Sequence, residues 1–149
     1  MKLEDEIKQG KFTSAQQKVL VNIIFTANWV NAQLRNIIKE HSITLQQYNV
    51  LRILRGKYPN WANPGEIKAV MLDKNPDLTR LCDRMCDQGL ISRAVDEVNR
   101  RKMNICITDK GLEVLEQIDP EIHKIEQMMV HLQDTEAEHL SDLLDRLRG

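Results

Sequence analysis

Aromatic residues are scarce in this chain of 149 residues: two Trp, two Tyr and two Phe, 4% in all. The core must therefore be built from Leu, Ile, Val and Met. No apolar run is long enough to span a bilayer, and the opening residues Met1 to Glu6 are charged, unlike a signal peptide. Cysteine is also sparse. Cys82, Cys86 and Cys106 make an odd count without a framework spacing, which suits a reducing cytoplasm better than a secreted scaffold. Ser/His/Asp, Cys/His and glycine-rich phosphate-loop arrangements are lacking, so neither catalytic activity nor a cofactor is expected. There is no internal repeat, low-complexity segment or flexible linker. What remains is ordinary for a soluble globular protein, with 42% hydrophobic and 29% charged residues.

The net charge of −1 hides a split. Residues 1–107 carry 17 Lys/Arg and 11 Asp/Glu, hence +6, and residues 108–149 carry 4 and 11, hence −7. A polyanion can thus be met by a locally positive field although the total charge is negative. The most concentrated cations are Arg100, Arg101 and Lys102, in a polar stretch between two apolar runs.

Spacing organises the rest. Thr13 or Ser14 can cap a long helix with Val19, Leu20, Ile23, Ile24, Ala27, Val30, Leu34, Ile37 and Ile38 at intervals of three and four. Thr44 with Gln47 reads as a capping box for a second helix, which carries Leu45, Tyr48, Leu51 and Leu54 and ends near Gly56. Residues 57–62 read as a loop, and Asn63-Pro64-Gly65-Glu66 opens a short third helix. Asn75-Pro76 restarts the chain. A helix then follows with Leu78, Leu81, Cys82 and Met85 on one stripe and Asp77, Arg80, Asp83, Arg84 and Asp87 on the other, stopped by Gly89.

Leu90–Val95 and Met103–Ile107 read as antiparallel strands joined by the basic tip. Thr108 caps a helix expected to break at Asp119-Pro120. A capping box of Thr135 with Glu138 opens a last helix bearing Leu140, Leu143, Leu144 and Leu147. That last stripe cannot be covered by its own short helix, and it is expected to pack with Ile118, Ile122, Ile125 and the first helix of two subunits. Short helix, tight turn, helix with a polar outer face, then hairpin is the order of a winged helix-turn-helix. The fold expected is mainly α with a small β-hairpin wing.

At this point the sequence resembles a known family, the MarR (multiple-antibiotic-resistance) type regulators. The resemblance rests on Ile43 to Leu54, on Leu78 to Arg93, and on the spacing of Arg93, Asp96, Asn99-Arg100-Arg101 and Ile107-Thr108-Asp109-Lys110-Gly111. The family's wing commonly has Asp where Asn99 stands and Leu where Ile107 stands; Asn there braces the following arginine without charge assistance. The resemblance covers nearly the whole chain. It implies one MarR-type domain over 1–149, with a DNA-binding lobe at about 40–110 and a dimerisation region at about 1–39 and 111–149.

It also implies a cytoplasmic transcription regulator, a repressor, that binds double-stranded DNA as a homodimer on a near-palindromic operator. Thr79, Arg80 and Arg84 would contact DNA from the recognition helix, and Arg100, Arg101 and Lys102 from the wing. Asp77 and Asp83 on the same helix would repel phosphates, unless they accept from cytosine amino groups or orient Arg80 and Arg84. A small-molecule effector between the lobes is a further implication, with Trp29 and Tyr48, near Arg35 or Arg52, as lining residues.

Two other functions compete: a winged-helix interaction module without DNA binding, and a thiol redox sensor using Cys82 and Cys86. Cys82 falls on the buried stripe, and the family's peroxide-sensing branch uses a cysteine in the first helical region, where this chain has none. His123, His131 and His139 stand eight residues apart, too far for the usual metal pair, so no metal is expected.

Overall fold

Ser14 settles where the long helix begins: its Oγ accepts from the Gln17 backbone N–H at 3.1 Å, while Thr13 donates to the Gln17 side chain. In the computed structural model, which describes residues 1–8, 10–74, 77–95, 103–128 and 130–149, nine elements follow among those residues. They are α1 (Leu3–Ile7), α2 (Ala15–Lys39), α3 (Leu45–Lys57), α4 (Pro64–Val70), α5 (Leu78–Asp87), β1 (Ile91–Val95), β2 (Met103–Ile107), α6 (Asp109–Met128) and α7 (Asp134–Arg148).

Two reciprocal boxes cap α3 and α4 as expected. Gln47 N–H donates to Thr44 Oγ1 at 3.2 Å and Thr44 N–H to Gln47 Oε1 at 2.9 Å. The same exchange joins Asn63 and Glu66 at 3.0 Å each way, with Pro64 in the first turn. Behind α5 the chain turns on Gly89 at φ +72°, where Gly89 N–H donates to Cys86 and Leu90 N–H to Met85. These two bonds make a Schellman stop, which needs the left-handed conformation glycine adopts without strain.

The turn delivers the chain into an antiparallel hairpin that pairs Ile91 with Ile107, Arg93 with Ile105 and Val95 with Met103. The segment between α3 and α4, read as plain loop, adds a bridge to it: Ala62 and Ile105 exchange backbone hydrogen bonds of 2.9 and 2.8 Å. Thr108 then staples helix to sheet, its hydroxyl donating to Gly89 O and accepting from Gly111 N–H. Val50, Leu51, Leu54, Ile67, Met71, Leu81, Met85, Ile105, Leu115 and Ile118 fill the centre, so aliphatic and sulfur side chains do build the core.

Three expectations are corrected. The helix expected to break at Asp119-Pro120 is one helix, Asp109–Met128, with Pro120 inside it. Proline removes one intrahelical donor, but its φ suits a helix, and the buried face of Leu115, Ile118 and Ile125 runs on past it. The last helix does not open on Thr135 with Glu138: α7 starts at Asp134, and Glu136 Oε2 accepts from Gln133 N–H at 2.9 Å. Ile118 and Ile125 are buried in this chain's own core, where α6 packs on α2 and α3, and are not left over for α7. The stripe on α7 stays open: Leu140, Leu143 and Leu147 are exposed, as are Val19, Leu20 and Ile24 on α2.

Candidate nucleic-acid interface

Helix α5 is strongly two-faced. Leu78, Leu81, Cys82 and Met85 are buried against the core, and Thr79, Arg80, Asp83, Arg84 and Asp87 are exposed. Its start is set by Asp77, whose carboxylate accepts from the Arg80 backbone N–H at 3.2 Å. The same carboxylate pairs with the Arg80 side chain at 3.2 Å, and that side chain remains 82% exposed. Asp77 therefore orients Arg80, one of the two roles open to it from the sequence. Asp83 takes a partner from another element instead of orienting Arg84. Arg93 on β1 donates from Nη1 to Asp83 Oδ1 at 2.5 Å and from Nη2 to Thr79 O at 3.3 Å.

The structure thus gathers Thr79, Arg80 and Arg84 on one exposed surface beside the hairpin. Arg100, Arg101 and Lys102, together with Asp96, Asn99 and the Asn75-Pro76 start, lie outside the described residues. Sequence reasoning noted Arg93 only as part of a spacing and gave it no role. A residue ten positions from its partner on another element leaves no periodic signal. The role of Asp77 in orienting Arg80 was open from the sequence, and its cap role follows from an acidic residue standing just before the first apolar position of the helix.

A groove of about 890 Å³ opens between α2, α3 and the end of α4. Tyr48, Arg35, Lys39, Arg52 and Asp73 line it, and the Arg52 guanidinium lies 5.9 Å from the Tyr48 ring centre. Burial pushes the Tyr48 hydroxyl above its ordinary pKa, against the pull of the Arg52 charge. Trp29 is half-buried on α2 and is not among the lining residues.

Cys82 is buried and Cys86 half-buried. Burial raises both thiol pKa values, against the pull of the nearby Arg93 charge. A thiol raised in this way is a poor nucleophile at neutral pH. His123 is paired with Glu126 at 3.0 Å, and the described residues contain no His, Cys, Asp or Glu cluster that could hold a metal ion.

No protein-family model matches the chain. Among curated proteins it is 24% identical over 120 residues to the HTH-type transcriptional regulator PecS of Dickeya dadantii, a match covering 79% of this chain and 72% of PecS. Among solved structures it is similar to a MarR transcription factor from Planctomyces limnophilus, 28% identical with a TM-score of 0.69, over 93% of this chain and 98% of that one. A mutant MarR from Escherichia coli, solved with operator DNA, shares the fold at a TM-score of 0.74 and 22% identity, over 99% of both chains. Capped α4, two-faced α5, the antiparallel hairpin and these likenesses together give the chain a winged helix-turn-helix fold, similar to that of the MarR-type regulators.

Proposed function

We propose that the chain is a cytoplasmic, sequence-specific DNA-binding regulator of transcription that represses by occupying a near-palindromic operator as a homodimer, and that it is not an enzyme. The observation that carries this reading is α5. It spends its apolar stripe on the core and offers Thr79, Arg80 and Arg84 outward, with Arg80 already held by its own cap residue. Two such helices in successive major grooves read the operator, and the basic wing tips grip the flanking backbone. The operator-bound MarR of the same fold supports the reading. The internal pairing of Asp77 and Asp83 removes the strongest argument for an interaction module that avoids DNA. No helix among the described residues is long and apolar enough to cross a membrane. The groove at Tyr48 is where a small-molecule effector would bear on both helices that frame it.

Selecting bound duplexes from a random pool tests DNA binding and operator symmetry together. On the selected duplex, Arg80→Ala should cost roughly 1–3 kcal/mol, and much less on random DNA. Anisotropy titrations of both duplexes check this, and equal losses would reduce Arg80 to a backbone contact. Arg100→Ala with Arg101→Ala should weaken specific and random duplexes alike. The double change should flatten the slope of log affinity against log salt by roughly 0.9 per lost phosphate contact. An unchanged slope with unchanged circular dichroism would leave the tip only a solubility role.

A further inference from the structure

The outer side of α5 poses an electrostatic problem for a helix that faces DNA. It carries two arginines, Arg80 and Arg84, against three aspartates, Asp77, Asp83 and Asp87. Asp83 sits among the residues proposed to touch DNA, and its side chain is 52% exposed, so a bare carboxylate there would be felt by an approaching backbone. At about 0.1 M salt such repulsion acts over a Debye length of roughly 10 Å, and over roughly 30 Å at about 0.01 M, enough to reach several phosphates.

The cation that meets this carboxylate does not come from α5. It is Arg93, in the middle of β1, with a side chain only 25% exposed and its guanidinium anchored twice. Nη1 donates to Asp83 at 2.5 Å and Nη2 to the carbonyl of Thr79, one helical turn earlier, at 3.3 Å. Two contacts on residues four apart hold the planar guanidinium along one ridge of the helix, which a lysine could not reproduce. Buried Cys82 lies between those two contacts in sequence.

We propose that Arg93 is a positioning residue for DNA binding: its guanidinium neutralises the Asp83 carboxylate on the reading face and ties the wing strand to the recognition helix. This rests on the reading of α5 as the DNA-facing helix. It competes with a role in which Asp83 itself accepts from a cytosine amino group, because a carboxylate held by Arg93 is turned to an internal partner.

The test uses the full chain, its selected duplex, and anisotropy titrations at several salt concentrations. Arg93→Gln should weaken binding on the order of tenfold at low salt, and the loss should shrink as salt rises, because repulsion is screened while a misplaced helix is not. Adding Asp83→Asn to Arg93→Gln should restore affinity to within about threefold of the parent, since the uncompensated charge is gone. Asp83→Asn alone should bind as well as the parent or tighter.

A double variant no better than Arg93→Gln, or a loss that does not change with salt, would overturn the charge-neutralising role. A large loss for Asp83→Asn alone would overturn it in favour of direct base contact. That single variant replaces an exposed side chain, so it decides the matter even where Arg93→Gln fails to fold. If the parent chain shows no salt-dependent affinity for any duplex, the DNA-binding reading falls, and this role with it, before any variant is made.

Discussion

A chain ending before Asp134 should lose operator affinity by roughly two to four orders of magnitude while α4, α5 and the hairpin stay folded. The reason is the apolar surface the single chain leaves open. Leu140, Leu143 and Leu147 on α7 and Val19, Leu20 and Ile24 on α2 are exposed, whereas the core under α5 is closed without them. Covering a leucine fully is worth roughly 1.5–3 kcal/mol, so two such stripes brought together from two copies supply a strong drive to associate. Two recognition helices on one dimer turn the second half-site contact into an intramolecular event, and separating the copies forfeits that advantage. Light scattering should show dimers for the full chain and monomers for the shortened one. Leu143→Glu with Leu147→Glu should reproduce the effect without shortening the chain. A stable, folded full-length monomer at micromolar concentration would refute this assembly.

Gly111→Ala should destabilise the fold by about 3 kcal/mol, at the upper end of what overpacking costs. A methyl group placed there would lie 2.3 Å from the backbone oxygen of Leu90 and 2.7 Å from Ile107 Cγ1. The first of these is backbone, so no rotamer change relieves it; α6 would have to move off the hairpin. That movement would stretch the Thr108 staple between Gly89 and Gly111. Denaturant titrations should show a lower midpoint with an unchanged slope. DNA binding should fall with stability rather than independently of it, because Gly111 is buried and lies off the proposed DNA face. A loss below about 1 kcal/mol would show that the first turn of α6 can slide on the hairpin without cost.

The starts of α2, α3 and α4, the apolar stripes and the hairpin were readable from residues alone, because each rests on partners within a few positions, whereas the start of α7 was misplaced. Thr44 with Gln47 and Asn63 with Glu66 are three apart, the stripe of α5 repeats every three or four, and Gly89 acts on the carbonyls just behind it. The basic cluster at Arg100, Arg101 and Lys102 was equally plain as sequence. Tertiary packing decided the rest. Whether α6 broke at Pro120 depended on the buried face continuing beyond it, which outweighed one missing hydrogen bond. Whether Asp83 stood bare or paired depended on where β1 placed Arg93, through a contact spanning ten residues. Whether Trp29 or Tyr48 faced a groove depended on how α2 crosses α3. Local hydrogen bonds and periodicity write themselves into neighbouring residues, whereas a contact between elements exists only once the core has brought those elements together.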